Sequence, residues 1–364
     1  MITVTKQVQL PDTYPLERIG GLSQLLFFDI ETTGFSGDYA SLYLIGCTYH
    51  TEGSWQLIQW FADTPDSEPE ILHSFFKFLE NFSILVHFNG DGFDIPFLLK
   101  RCHHLGLSYD FSRVTSFDIY KRIKPFKKLL GLTSLKQKSI EHFLGIQRDD
   151  LYSGGQLIQV YHDYLVTRED SLYRLLMLHN EDDLKGMPSI LPILYYPDFL
   201  EGDFTLEDQT LQGQTDIFGT IHPALLLTCK SDSCLPVPLE TEKGPAALFA
   251  EDNRLYLTLS LYQGQLKYFY PDYQNYYYLK YEDTAIHKSV ADYVDKSAKT
   301  KATAKTCYCR RQGCFLPQTE PLWEPALREN LKDKISYTEY SETLLQESSV
   351  LLAYLRQWLQ YLKN

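Results

Sequence analysis

Two carboxylates, Asp29 and Glu31, close the apolar run Leu25-Leu26-Phe27-Phe28, just ahead of the turn Thr32-Thr33-Gly34. Alternate residues of an extended strand share a side, so both acids face the same way. Charges held that close repel each other and raise one pKa, unless a divalent cation lies between them. Two further acids occur in suitable settings. Asp94 follows the strand-like Ile84–Phe88 and the turn Asn89-Gly90-Asp91-Gly92, and Asp183 stands four residues beyond His179 in a helical stretch. Residues four apart share a helix face, so His179 and Asp183 point together. Such a set of hard oxygen ligands suits Mg2+ or Mn2+. Each residue also has a plainer reading: Asp29 and Glu31 as polar strand-end residues, Asp94 as a helix N-cap with Pro96 in the first turn, and His179 as a hydrogen-bonded packing residue.

The elements that must position these groups follow from periodicity. Residues 1–24, with Pro11, Pro15 and Gly20-Gly21, read as an extended lead-in. Leu25–Phe28 suits a strand buried on both faces. Residues 41–49 and 54–61 form a hairpin through His50-Thr51-Glu52-Gly53, giving a three-stranded antiparallel start. The spacing of Ile71, Leu72, Phe75, Phe76 and Leu79 predicts a helix over 66–81, and a second amphipathic helix spans 97–105. Ser134 is placed to cap a helix ending at Phe143 and Gly145, and 150–155 reads as a loop. Helical periodicity returns over 156–165 and 169–190, with a break expected near Gly186 and Pro188. Beyond Pro197 the composition shifts to β-formers between turn signals, predicting an antiparallel meander over 246–281. Seven tyrosines between Tyr268 and Tyr281 suit packing or a stacking platform, and a terminal amphipathic helix carries Leu351, Leu355, Trp358 and Leu362. The expected organisation is therefore an α/β domain over 1–200 and an α+β domain over 201–364.

The chain has 364 residues, 44% of them hydrophobic and 22% charged, with no apolar run approaching a membrane span or a signal core. The cytoplasm is the expected location. Seven cysteines without the usual zinc-knuckle spacing read as scattered free thiols. The net charge of −13 disfavours a polyanionic partner, but its distribution is uneven. Residues 121–140 hold seven basic groups and no acid, and residues 296–311 hold six and no acid. Each run suits a solvated face or a phosphate-binding stripe.

Taken jointly, Phe28-Asp29-Ile30-Glu31-Thr32-Thr33-Gly34, Asn89-Gly90-x-x-Phe93-Asp94-Ile95-Pro96-Phe97-Leu98 and His179-Asn180-x-x-Asp183 resemble the three motifs of the DEDD 3′-to-5′ exonucleases. The linking segments Leu42-Tyr43-Leu44-Ile45-Gly46 and Ser134-Leu135-Lys136 resemble the YprB-like group of that ribonuclease-H-like superfamily. The resemblance covers roughly residues 20–195. It implies a ribonuclease-H-like mixed sheet flanked by helices and two-metal hydrolysis of single-stranded DNA or RNA. It also implies roles: Asp29 bridging two Mg2+ or Mn2+ ions, Glu31 and Asp183 completing the first site, Asp94 holding the second, and His179 accepting the water's proton. Asn89, Phe93, Lys121, Arg122 and Lys136 would hold the substrate. One departure stands out, because His179 occupies the spacing that tyrosine-type members use. A nucleic-acid-binding module with little or no catalysis is the alternative.

Overall fold

Six strands form the sheet of the N-terminal unit: β1 (Ile2–Val8), β2 (Leu25–Thr32), β3 (Leu42–Thr51), β4 (Ser54–Phe61), β5 (Ile84–His87) and β6 (Thr115–Asp118). Their order across the sheet is β1-β4-β3-β2-β5-β6. The strands from β1 to β2 run antiparallel to their neighbours, whereas β2, β5 and β6 are parallel. This unit comprises Met1–Lys127 and Leu132–Pro197, in a computed structural model that describes residues 1–146, 154–215 and 219–364. Its helices are α1 (Glu68–Leu79), α2 (Asp94–His104), α3 (Ile119–Ile123), α4 (Gln137–Phe143), α5 (Gly154–Thr167) and α6 (Asp170–Ile190). The mixed sheet flanked by helices is the expected architecture.

The core explains why β2 is central. Leu25 to Phe28 are all buried, with Phe28 stacked on Phe75 of α1 and edge-on to His87 of β5. The hairpin β3–β4 turns through Glu52 and Gly53, both at positive φ, the conformation that a two-residue hairpin requires. A buried ion pair joins α1 to α2: Arg101 donates to both oxygens of Glu68 at 2.6 and 2.7 Å. Glu68 also accepts the Leu42 amide, and Arg101 donates to the Gly37 carbonyl. Both Glu68 oxygens and all three Arg101 guanidinium nitrogens are thus hydrogen-bonded, the condition under which buried charge pairs are tolerated.

Several expectations are corrected. Within the lead-in, Ile2–Val8 is a sheet strand, paired along its full length with β4, a partner some fifty residues away that local pattern could not reveal. Asp94 is the first residue of α2 and not its cap; Phe93 holds the cap position without a side-chain bond, and Pro96 lies in the first turn, where no amide is needed. Ser134 caps nothing, because α4 begins at Gln137. Its hydroxyl instead accepts the Lys136 amide and pairs with Ser139. Helix α6 continues through Gly186 and Pro188, both buried close to its C-terminal end, where packing offsets one missing bond. The loop read at 150–155 falls mostly outside the described residues, and Gly154 and Gly155 open α5.

The second unit comprises Lys128–Gly131 and Asp198–Asn364. Following α7 (Tyr195–Glu201), its elements are β7 (Phe204–Thr215), β8 (Ile221–Ser231), β9 (Leu239–Lys243), β10 (Ala246–Glu251), β11 (Arg254–Ser260), β12 (Tyr262–Phe269), β13 (Tyr276–Leu279), β14 (Thr284–His287), α8 (Lys288–Ala291), β15 (Lys299–Lys301), β16 (Tyr308–Gln318), β17 (Ser336–Glu339) and α9 (Ser348–Lys363). Consecutive strands β9, β10 and β11 make an antiparallel meander, extended by β8 and β7. The strands foreseen at 265–281 leave it for two three-stranded sheets. Tyr270, Tyr276 and Tyr278 pack on a small core of Ala285, Ala302 and Cys307, which accounts for part of the tyrosine cluster. Helix α9 buries Leu351, Leu355, Trp358 and Leu362, as its stripe predicts.

Candidate active site

Three separate elements deliver the acidic groups. Asp29 and Glu31 lie on β2, opposite Gly46 and Leu44 of β3, and the β2–β3 register shifts between Glu31 and Thr32. Asp94 opens α2 and is buried. His179 and Asp183 come from α6, with His179 Nε2 at 3.3 Å from Asp183 Oδ2 and 3.7 Å from Glu31 Oε1. One ligand atom each from Glu31, His179 and Asp183 lies within 4.8 Å of the others, a spacing one cation could bridge.

Electrostatics show that the remaining acids belong to the same cluster. Burial, then the charges of Glu31, Asp183 and Asp94, push Asp29 well above the usual carboxylate range, opposed by an Asn180 amide. Glu31 is pushed up to about 8 by burial and the Asp183 charge, against a hydrogen bond from Tyr43. Asp94 is raised to about 7, mainly by burial. Carboxylates crowded into low dielectric are costly unless protonated or matched by a cation. The donor set is all oxygen apart from one imidazole, which fits a hard divalent ion.

The loop between β5 and α2 shapes the neighbouring surface. Asn89 sits at φ 64°, a left-handed conformation that asparagine tolerates better than most residues. Its amide and that of Asp91 donate to the buried Asp118 carboxylate, which also caps α3 through the Lys121 amide. The Gly90 amide donates to His87 Nδ1 at 3.0 Å, so the imidazole proton resides on Nε2, facing Ser116 Oγ at 2.8 Å.

The substrate residues expected from sequence divide into two groups. Asn89 and Lys136 line one open cleft together with Phe88, Tyr120 and Lys127. Phe93 packs against Phe97 and meets Phe35, whose ring is 90% exposed. By contrast, the Lys121 ammonium is paired with Asp91 at 3.1 Å, and the Arg122 guanidinium lies 4.5 Å over the Phe117 ring. Neither lines that cleft. Sequence reasoning gave no role to Gln59, Tyr43, His87, Asp118 or Tyr120. Asp118 carried a usable signal, as a lone acid between a short strand and a helical turn; Gln59 carried none.

A family model, RNase_H_2 of the RNase H superfamily, matches residues 26–195, the span that holds every acid of the cluster. Residues 26–195 have an RNase H-like fold. A DNA polymerase of Pyrococcus glycovorans is 30% identical over 130 residues, covering 33% of this chain and 16% of the polymerase. A DNA polymerase of Thermococcus aggregans is 31% identical over 94 residues, 23% of this chain and 5% of that one. The chain thus spans a small part of each polymerase. Among solved structures, the family B DNA polymerase of Pyrobaculum calidifontis aligns with 93% of this chain and 46% of its own at 12% identity and a TM-score of 0.39. The zinc-bound E. coli ExoI–ssDNA complex aligns with 57% of this chain and 54% of its own at 12% identity and a TM-score of 0.28. Among the described residues, no helix is long and apolar enough to cross a membrane.

Proposed function

We propose that the RNase H-like domain is a metal-dependent 3′-to-5′ exonuclease of the DEDD class that hydrolyses phosphodiester bonds of single-stranded nucleic acid. The observation that carries this reading is the convergence of Asp29, Glu31, Asp94 and Asp183 from β2, α2 and α6, with burial holding three of them above the usual carboxylate range and repulsion by the other acids adding to it at Asp29 and Glu31. A folded chain that merely bound nucleic acid would gain nothing from this cost.

Asp29, Glu31, Asp94 and Asp183 would hold two Mg2+ or Mn2+ ions, which supply an activated water and a counter-charge for the leaving 3′ oxygen. The chain's own groups do the rest. His179 presents Nε2 to the space that Glu31 and Asp183 share, so it is the acceptor for the water's proton. The cleft of Asn89, Tyr120, Lys127 and Lys136 supplies amide, ring and ammonium contacts for nucleotides next to the cut. The domain would work on strands in the cytoplasm.

One observation favours the binding-only alternative: His179 itself can serve the acids as counter-charge if protonated, leaving the cluster without need of metal. Incubating the protein with 5′-labelled DNA and RNA strands, free or blocked at the 3′ end, with Mn2+ or EDTA, separates the two. Stepwise shortening of free-ended strands only in Mn2+ is expected. Tight binding with no cleavage in any arm would replace the enzyme by the binder.

A further inference from the structure

Across the sheet, Asp29 of β2 lies opposite Gly46 of β3, which lies opposite Gln59 of β4. Directly paired residues on adjacent strands share a face, so these three form one row. The middle member has no side chain. A socket therefore opens between two polar groups, and Asn180 of α6 fills it. A Cβ added to Gly46 would lie 1.9 Å from Asn180 Oδ1 and 2.6 Å from a Leu184 methyl, distances at which the helix would have to move.

Once seated, Asn180 touches both ends of the row. Its Nδ2 donates to Asp29 Oδ2 at 2.9 Å, and its Oδ1 accepts from Gln59 Nε2 at 2.9 Å. Gln59 Nε2 also donates to the Met177 carbonyl at 2.9 Å. A main-chain carbonyl can only accept, so the orientation of the Gln59 amide is fixed, and with it that of Asn180. Asn180 and Gln59 are both fully buried, so water cannot substitute for either partner. Gln59 Nε2 thus donates both ways, to Met177 and to Asn180, and Asn180 in turn meets the Asp29 carboxylate as a donor.

We propose that Asn180, seated over Gly46 and locked by Gln59, is the positioning residue of the metal site: it occupies one oxygen of Asp29 and fixes the rotamer that offers the other to a divalent cation. The same seat sets the register of α6, so that His179 one residue before it and Asp183 three after it face Glu31. This inference rests on the metal-dependent reading above.

Mn2+ titrated into the full chain, followed by the electron paramagnetic resonance signal of the free ion, tests it without recourse to activity. Relative to wild type, Asn180→Ala should weaken Mn2+ binding about 10- to 100-fold, the usual effect of removing a group that orients a ligand. Gln59→Leu, which touches neither Asp29 nor the cation, should weaken it in the same direction. Leu79→Ala, in the buried face of α1, serves as the control for stability: it should lower the melting temperature and leave Mn2+ affinity unchanged. Wild-type affinity in both Asn180→Ala and Gln59→Leu, or an equal loss in Leu79→Ala, would overturn the positioning role alone. If Asn180→Ala fails to fold, Gln59→Leu decides. A wild-type protein that binds no Mn2+ would overturn the metal-site reading and this inference with it.

Discussion

His179 Nε2 lies 3.3 Å from Asp183 Oδ2, one turn along the same helix. The four-residue spacing that makes this contact also confines the imidazole to the acidic side of α6, where a nearby water would meet it. His179→Ala should therefore lower turnover on a labelled strand by roughly 10² to 10⁴, with little change in KM. His179→Tyr should recover activity, because the tyrosine-type DEDD exonucleases that the motifs resemble carry tyrosine at this spacing. Two variants cleaving at the wild-type rate would reduce His179 to a packing residue.

The crowding of acids has a measurable price in stability. Glu31 titrates near 4.5 when unperturbed and is pushed up to about 8 in the fold. Between those values the native state holds more protons than the unfolded chain, so metal-free stability is full below about pH 4.5 and falls as pH rises toward 8. Thermal melts in EDTA should show this slope, flattened in Glu31→Gln. Mn2+ should restore the lost stability at pH 8, where the acids are charged. Asp29→Asn should likewise melt higher without metal while abolishing hydrolysis. A flat profile in the wild type would remove the case for crowding.

His87 titrates in the opposite sense. Burial lowers its pKa below the ordinary 6.5, although Asp118 and Asp91 pull the other way. Its share of stability is therefore present above pH 6.5 and lost as pH falls through the depressed native value. Protonation must also break the Gly90 amide bond to Nδ1. Imidazole resonances followed by NMR should give a titration midpoint below 6.5, accompanied by shifts at Asn89 and Gly90. A midpoint above 6.5 would contradict the neutral assignment.

The two groups of basic residues should separate in binding. Lys127→Ala and Lys136→Ala are each expected to raise KM for a strand and to reduce the logarithmic salt slope of binding by about 0.7. Lys121→Ala should change neither much, since its ammonium already pairs with Asp91. Anisotropy titrations at several salt concentrations give all three slopes, and a larger effect at Lys121 would displace the substrate path toward α3.

What was legible in the sequence, and what was not, follows from the range of each signal. The same-side placement of Asp29 and Glu31 needs only the alternation of a strand, and the hairpin turn at Glu52 and Gly53 only local backbone preference. Asn180, Gln59 and Gly46 are different. Their meeting depends on the register of three strands and the docking of a helix, none of which a linear spacing encodes. The same holds for Asp118, whose carboxylate gathers amides from the β5–α2 loop and from α3, and for β1, whose partner lies far along the chain. Asp118→Ala should therefore destabilise the fold by roughly 2–4 kcal/mol in urea melts, a larger loss than an ordinary cap, because three main-chain amides lose their acceptor at once.

The Arg101–Glu68 pair gives α2 a mechanical character. Asp94 stands seven residues before Arg101, roughly 10 Å along the helix axis. A helix gripped at that distance is a lever arm, and a tilt of about 6° at the grip would swing the carboxylate by about 1 Å. Misplacement of that size is enough to cost a reaction about 10²-fold. Glu68, on another helix and outside the acidic cluster, thus sets the aim of a group it never touches.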